Sequence, residues 1–233
     1  MISKLLAAFV GVCAAWAVQA QTPTHHYRLD GSYADDLGGP SLTPLGGTLG
    51  STGYAFGADQ GLTVDGVVNE AVYTIDLAFS FDELSGYRRI IDFQNQASDT
   101  GLYVYSGDLN FYNEVTGSGT PFAALEMTRV TVTRDATGLF VGYVNGVQQV
   151  AFIDAAALAT FSGPTQMASF FRDDLAVPGE ASAGFVDDIR IYGSALSAAE
   201  VAALPTVGSV PEPAAAVLLL AGLLLVFRRA RRR

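Results

Sequence analysis

The chain has 233 residues, 50% hydrophobic and only 15% charged, with a formal net charge of −10 and one cysteine. Its 25 glycines follow no three-residue period, which excludes a collagen-like helix. The apolar share excludes wholesale disorder. The acidic balance excludes a nucleic-acid binder, which needs a basic face.

The N-terminus reads Met-Ile-Ser-Lys, then an apolar run from Leu5 to Val18, then Gln19-Ala20-Gln21. A positive start, an apolar stretch and a small-x-small end define a secretory signal peptide, residues 1–20, cleaved after Ala20. Cys13 sits in the apolar stretch as filler, because Val12 is a poor residue before a lipidated cysteine. The mature chain then has no cysteine, and an exported protein without disulfides needs a large core or bound ions.

From residue 21 the pattern is one of short alternating runs. His25 and His26 stand at the start, read as a solvated or edge-strand pair. Tyr73, Ile75, Leu77, Phe79 and Phe81 define one face of a strand. Thr74, Asp76, Ala78, Ser80 and Asp82 define the other, so the strand is expected to be half-buried. Further strands are predicted near Arg88–Gln94, Gly101–Tyr105, Leu109–Tyr112 and Met127–Arg134. Ser106-Gly107-Asp108 marks a tight turn. Leu139–Val144 and Val147–Phe152 flank Asn145-Gly146, the strongest short hairpin signal, since both central residues of a type I′ turn need positive φ. Gly184–Tyr192 is the last strand. Ser197-Ala198-Ala199-Glu200 is a capping box that opens one short helix, and Pro205 ends it. A linker over 205–209 reaches no more than about 18 Å.

The C-terminus reads Val210-Pro211-Glu212-Pro213, an uncharged run from Ala214 to Phe227, then Arg228, Arg229, Ala230, Arg231, Arg232 and Arg233. The uncharged run rises about 21 Å as a helix, against a hydrocarbon core of about 30 Å. Starting at Val210 and letting Arg228 snorkel brings it closer to a short transmembrane helix. The arginines set its C-terminus on the cytoplasmic side of the inner membrane.

This tail, residues 210–233, resembles the PEP-CTERM sorting signal: a Pro-Glu-Pro tripeptide at Pro211, Glu212 and Pro213, an apolar helix, and a terminal arginine cluster. The resemblance implies a bacterial protein that is processed near the tripeptide by an exosortase and sorted to the cell surface or into an exopolysaccharide matrix.

The domain between, residues 21–204, carries a second resemblance. Tyr27-Arg28-Leu29-Asp30-Gly31-Ser32 with Ala34-Asp35-Asp36 is similar to the first strand of laminin-G-like domains. Gln60-Gly61-Leu62-Thr63-Val64, the hairpin Thr131–Gly146, and Phe185–Tyr192 with Leu196-Ser197 and Glu200 resemble later elements of that family in order. The family's usual tryptophan before the hairpin is replaced by Met127-Thr128-Arg129. The resemblance implies an all-β, concanavalin A-like jelly-roll sandwich. It also implies neighbouring first and last strands. That would gather Asp30, Asp35, Asp36, Asp187 and Asp188 around a structural Ca²⁺, which takes six to eight oxygens. Asp173 and Asp174 form a third acidic pair near that end of the sequence.

No catalytic constellation is evident. Glucanases of this architecture need carboxylates sharing a face. Adjacent pairs such as Asp82-Glu83 and Asp187-Asp188 point to opposite faces of a regular strand. No nucleophile elbow and no phosphate-cradling glycine loop is present. A glycan surface is the other possibility: Tyr103 and Tyr105 share a strand face, with Tyr112, Asn110, Asn113 and the amides Gln94, Asn95 and Gln96 nearby in sequence. Packing against the second sheet, with hydroxyls at the rim, competes as an explanation of those tyrosines.

The expectation is therefore an exported surface or matrix protein serving in adhesion, carbohydrate binding or matrix structure. A divergent glycoside-active enzyme on the same fold is the alternative. Setting aside Lys4, the five C-terminal arginines and Glu212 leaves 7 basic and 22 acidic residues in 21–209, a balance of −15 with no lysine. A neutral glycan or a divalent cation suits such a domain, and an anionic polymer does not unless calcium bridges it.

Overall fold

The computed structural model describes residues 21–205, apart from 69, 70, 162 and 164. The signal-peptide segment 1–20, the sorting tripeptide Pro211–Pro213, the apolar run and the terminal arginines lie outside the described residues. Among the described residues no helix is long and apolar enough to cross a membrane.

Alternating apolar residues build the strands, and glycine-bearing turns separate them. In chain order these are β1 (His25–Tyr27), β2 (Thr43–Pro44), β3 (Thr48–Leu49), β4 (Tyr54–Phe56), β5 (Leu62–Val64), β6 (Tyr73–Phe81), β7 (Tyr87–Asp92) and β8 (Gly101–Tyr105). They continue as β9 (Asp108–Phe111), β10 (Val115–Thr116), β11 (Thr128–Arg134), β12 (Leu139–Val144), β13 (Val147–Ile153), β14 (Ala168–Phe170) and β15 (Gly184–Tyr192), followed by α1 (Ala198–Ala202).

All pairings are antiparallel and form two sheets, the all-β jelly-roll sandwich expected. One sheet runs β13-β12-β11-β6-β15-β4-β3, with β1 also paired to β15. The other runs β10-β9-β8-β7-β14-β5-β2. Both predicted tight turns have two consecutive residues of positive φ, Asn145-Gly146 at 49° and 79° and Ser106-Gly107 at 49° and 94°. The first strand is shorter than the family pattern suggests, because Leu29, with φ of 54°, turns the chain away after Tyr27.

The core between the sheets is aromatic. Phe56 stacks on Phe171 with centroids 4.7 Å apart, and Phe111 meets Phe140 edge-on at 5.0 Å. Burial of this surface stabilises the sandwich by about 25 cal/mol per Å² of apolar area.

Strand β6 departs from expectation. Every residue of it is buried, including Thr74 and Asp76. A second small core of Val141, Tyr143, Tyr192, Leu196, Val201 and Leu204 lies over the outer face of this sheet. The helix that alternation ignores is what covers it. Asp76 survives there by pairing with Arg129 and accepting from Thr131 at 2.7 Å. Burial pushes its carboxyl up despite that guanidinium.

Candidate functional site

The second sheet carries the chemistry. On β8, Leu102 and Val104 enter the core, which leaves Tyr103 and Tyr105 on the opposite, outer face. The register sets Tyr87 opposite Tyr105 and Arg89 opposite Tyr103. A bulge between Arg89 and Ile91 lets Ile90 and Ile91 both reach the core while Arg89 stays outward. Tyr112 follows directly after β9.

The four tyrosines form one patch. Tyr87 and Tyr105 stack at 4.2 Å with planes 22° apart. Tyr112 stands edge-on to Tyr87 at 5.5 Å and to Tyr103 at 6.2 Å. Tyr105 is 39% exposed, whereas Tyr103 is wholly covered. The Tyr103 hydroxyl donates to the Asp99 backbone carbonyl at 2.9 Å and lies 3.1 Å from its carboxylate.

Behind the patch Arg89 is buried without any exposure, 4.4 Å from the centroid of the Tyr103 ring. Such a cation–π contact is worth about 2 kcal/mol when desolvated. Its Nε approaches Asp173 at 3.4 Å, and its Nη2 contacts the Asp174 carboxylate and the Asp99 backbone carbonyl. Its Nη1 donates to the Thr100 carbonyl at 3.2 Å and lies 3.6 Å from Asp92. A Cβ on Gly101 would lie 2.3 Å from that Nη1, so β8 opens on the one residue that leaves room for the guanidinium.

Two aspartates in turn build the neighbouring loop. Asp173 accepts from the Gly179 and Glu180 amides at 2.8 and 2.6 Å, and Asp174 from those of Ala176 and Val177. Phe171, at a φ of 61° unusual for an aromatic residue, turns the chain from β14 into this loop. Glu180 then stands beside the tyrosines. Burial, with the Asp99 and Asp173 carboxylates, pushes its carboxyl up to about 7. Oxygens of Asp99, Asp174 and Glu180 lie within 4.8 Å of one another. Arg89 already approaches two of the three, Asp174 and, at 3.6 Å, Asp99.

The sequence-predicted tyrosines Tyr103, Tyr105 and Tyr112 are thus brought together, facing outward and not against the other sheet. Tyr87, Arg89, Asp99 and Glu180 escaped the sequence reading. The cross-strand register that aligns them is not written locally, although the Tyr87-Arg88-Arg89 run was a visible signal in a domain with seven basic residues. Asp173 and Asp174 do not sit with the terminal aspartates as their sequence position suggested, because β14 belongs to the other sheet. The amides are structural: Gln94 donates to the carbonyls of Leu158 and Thr160, and Gln96 to that of Asp173.

The first and last strands do lie side by side, with His26 opposite Arg190. Three of the five aspartates proposed as calcium ligands there are already paired. Asp35 meets His25 Nδ1 at 2.7 Å and accepts from the backbone of His26, Leu37 and Gly39. Asp36 pairs with Arg28 at 2.5 Å. Asp188 pairs with His26 Nε2 and Arg190, both at 3.0 Å. Asp30 lies 4.0 Å from Arg28, with half its side chain exposed. Asp187 is the extra residue of a bulge in β15, and its Oδ1 is buried without a hydrogen-bond partner. The simple alternation that set Asp187 and Asp188 on opposite faces therefore fails at that bulge. Both histidines meet carboxylates, beside the Arg28–Asp36 and Arg190–Asp188 ion pairs.

A separate cavity of about 290 Å³ lies between α1 and the start of the β12–β13 turn, lined by Met127, Arg129, Asn145, Val201 and Leu204 among others. It has neither the tyrosines nor the carboxylates of the patch.

A family described as the concanavalin A-like lectin/glucanases superfamily, of laminin G type, matches residues 56–202. The chain belongs to that superfamily. No curated protein matches the sequence. Among solved structures, domain 4 of AbnA, an extracellular arabinanase from Geobacillus stearothermophilus in complex with arabinotriose, is similar at 16% identity and TM-score 0.55. That match covers 80% of this chain and 99% of the domain. A Trypanosoma rangeli sialidase is similar at 14% identity and TM-score 0.61, over 79% of this chain and 33% of that one. The botulinum neurotoxin type C structure, whose cell entry depends on two ganglioside molecules, is similar at 17% identity and TM-score 0.57, over 77% and 49%. At these identities the likeness is one of fold. The fold is shared by glycosidases and by non-enzymatic binding domains.

Proposed function

We propose that this is an exported surface or matrix protein whose sandwich binds a glycan, without catalysis, through the tyrosine patch. The observation that carries the reading is the Tyr87–Tyr105 stack, a flat aromatic surface exposed on the sheet and edged by the Asp99 and Glu180 carboxylates. Sugar rings bind to such aromatic faces, while a few polar groups fix their hydroxyls. Neighbours of the same fold that carry arabinotriose or use gangliosides are consistent with it.

The ends of the chain supply the address in this proposal. The signal peptide exports the domain, and Ala214–Phe227 holds it in the inner membrane with the arginines inside. An exosortase then acts at Pro211–Pro213 and releases it to the surface or to an exopolysaccharide matrix.

The glycan claim is tested with the full chain, purified in detergent, on an oligosaccharide array beside Tyr105→Ala. Binding that the substitution abolishes supports the proposal; wild-type protein that binds no glycan defeats it. Loss of surface delivery on deleting the exosortase tests the sorting step, and unchanged delivery refutes it.

One observation favours the glycosidase alternative: Asp99 and Glu180 bring carboxylate oxygens within 4.8 Å of each other, and burial raises the Glu180 carboxyl, as two cooperating carboxyls on one face require. Reducing-sugar release that vanishes in Glu180→Gln would establish it.

A further inference from the structure

We infer that the patch selects neutral sugars and turns away uronate-bearing or sulfated ones; this rests on the glycan-binding reading above. The inference comes from where the charges stand. Asp92, Asp99, Asp173, Asp174 and Glu180 surround the wall behind the tyrosines, and Arg89 is the one cation among them.

Arg89 is closed to a ligand. It has no exposed surface, its donors are taken by carboxylates and by the Asp99 and Thr100 carbonyls, and the Tyr103 ring lies over it. The other arginines do not substitute. Arg88 is paired with Glu83 at 3.0 Å. Arg172 lies beside Gly61, in the loop just before β5, and in the sheet order both β14 and β7 separate β5 from β8. Residues 21–209 contain no lysine. A carboxylate on a ring over Tyr105 would meet Asp99 and Glu180 with no cation to pair it, and like charges brought together disfavour binding.

The same oxygens suit a neutral sugar. Among the described residues Glu180 Oε2 is buried without a hydrogen-bond partner, and the Asp99 side chain is about a fifth exposed. The exposed part of the Asp99 carboxylate can accept from a ring hydroxyl, as a charge-assisted bond, while Glu180 adds negative charge beside it. The Asp99 carboxylate and, less, that of Glu180 also push the Tyr112 hydroxyl up.

The test uses the full chain in detergent, with EDTA present, against oligosaccharides in matched neutral and uronate-containing pairs at pH 8. The neutral member should bind at least about tenfold more tightly, a difference of about 1.4 kcal/mol. Glu180→Gln should narrow the affinity gap between the two members, and Asp99→Asn should act in the same direction. Equal or tighter binding of the uronate member by wild-type protein overturns the selectivity and leaves the glycan reading standing. No binding to either member, or binding indifferent to Tyr105→Ala, overturns the glycan reading and the selectivity with it.

Discussion

Tyr87 and Tyr105 face each other across β7 and β8 with ring centroids 4.2 Å apart and planes 22° from parallel, on the outer face of the sheet. Such a pair contributes about 0.5–1.5 kcal/mol beyond its buried area. Part of it stays in water, so removing Tyr105 should cost little stability. Tyr105→Ala is expected to lower the melting temperature by only a few degrees while reducing glycan affinity at least about tenfold. Parallel thermal melts and binding titrations check this. A large loss of stability with affinity intact would assign the pair to packing alone.

Arg89 is what holds the patch in place. Removing one member of a buried ionic network costs about 3–5 kcal/mol, because the partners stay buried and unpaired. Arg89→Met should therefore destabilise by that order in urea unfolding and should loosen the loop that Asp173 and Asp174 organise. Gly101→Ala should act in the same direction through its clash with the guanidinium. A neutral outcome for both would remove Arg89 from this role.

Glu180 gives the domain a pH signature. Its folded carboxyl is raised to about 7 from an ordinary 4.5, by burial and by the Asp99 and Asp173 carboxylates. Between those values the folded state holds a proton that the unfolded chain has lost. Stability on this account falls as pH rises through that window. Glu180→Gln should lose that slope, gaining melting temperature relative to wild type at pH 8 but not at pH 4. A difference independent of pH would contradict the assignment.

At the other corner the sign reverses. Burial pushes the Asp35 carboxyl up, but backbone donation from His26, Leu37 and Gly39, with His25, outweighs it and holds the group below its usual range. Its contribution is present above the ordinary value of 3.8 and is lost as pH falls through the lower folded value. Asp35→Asn should therefore weaken the fold at pH 7 and make little difference in strong acid. EDTA should leave the melting temperature unchanged, because histidine, arginine and amide donors already pair Asp35, Asp36 and Asp188, which leaves a calcium ion only Asp30 and the buried Asp187. A fall of several degrees in EDTA would restore the calcium cage.

Most of the sandwich was legible because its signals are local. Alternation over Tyr73–Asp82 marked β6 to within one residue, and Asn145-Gly146 marked the β12–β13 hairpin. The capping box at Ser197 and Glu200 marked α1. What escaped depends on contacts distant in sequence. Nothing in Thr74 or Asp76 announces that Leu196–Leu204 returns to bury them. The bulges at Arg89–Ile91 and Val186–Asp188 break the two-residue period on which face assignments rest. Tyr103, Tyr105 and Tyr112 were visible as candidates, but Glu180 reaches them only through a loop 68 residues beyond Tyr112 in sequence.

The most direct test of the account is a crystal structure of the protein with the tightest-binding neutral oligosaccharide from the array. A sugar ring stacked over Tyr105, with hydroxyls toward Asp99 and Glu180, is the predicted result. A sugar bound at the His26–Asp188 corner or in the cavity under α1, with the tyrosine patch untouched, would contradict it.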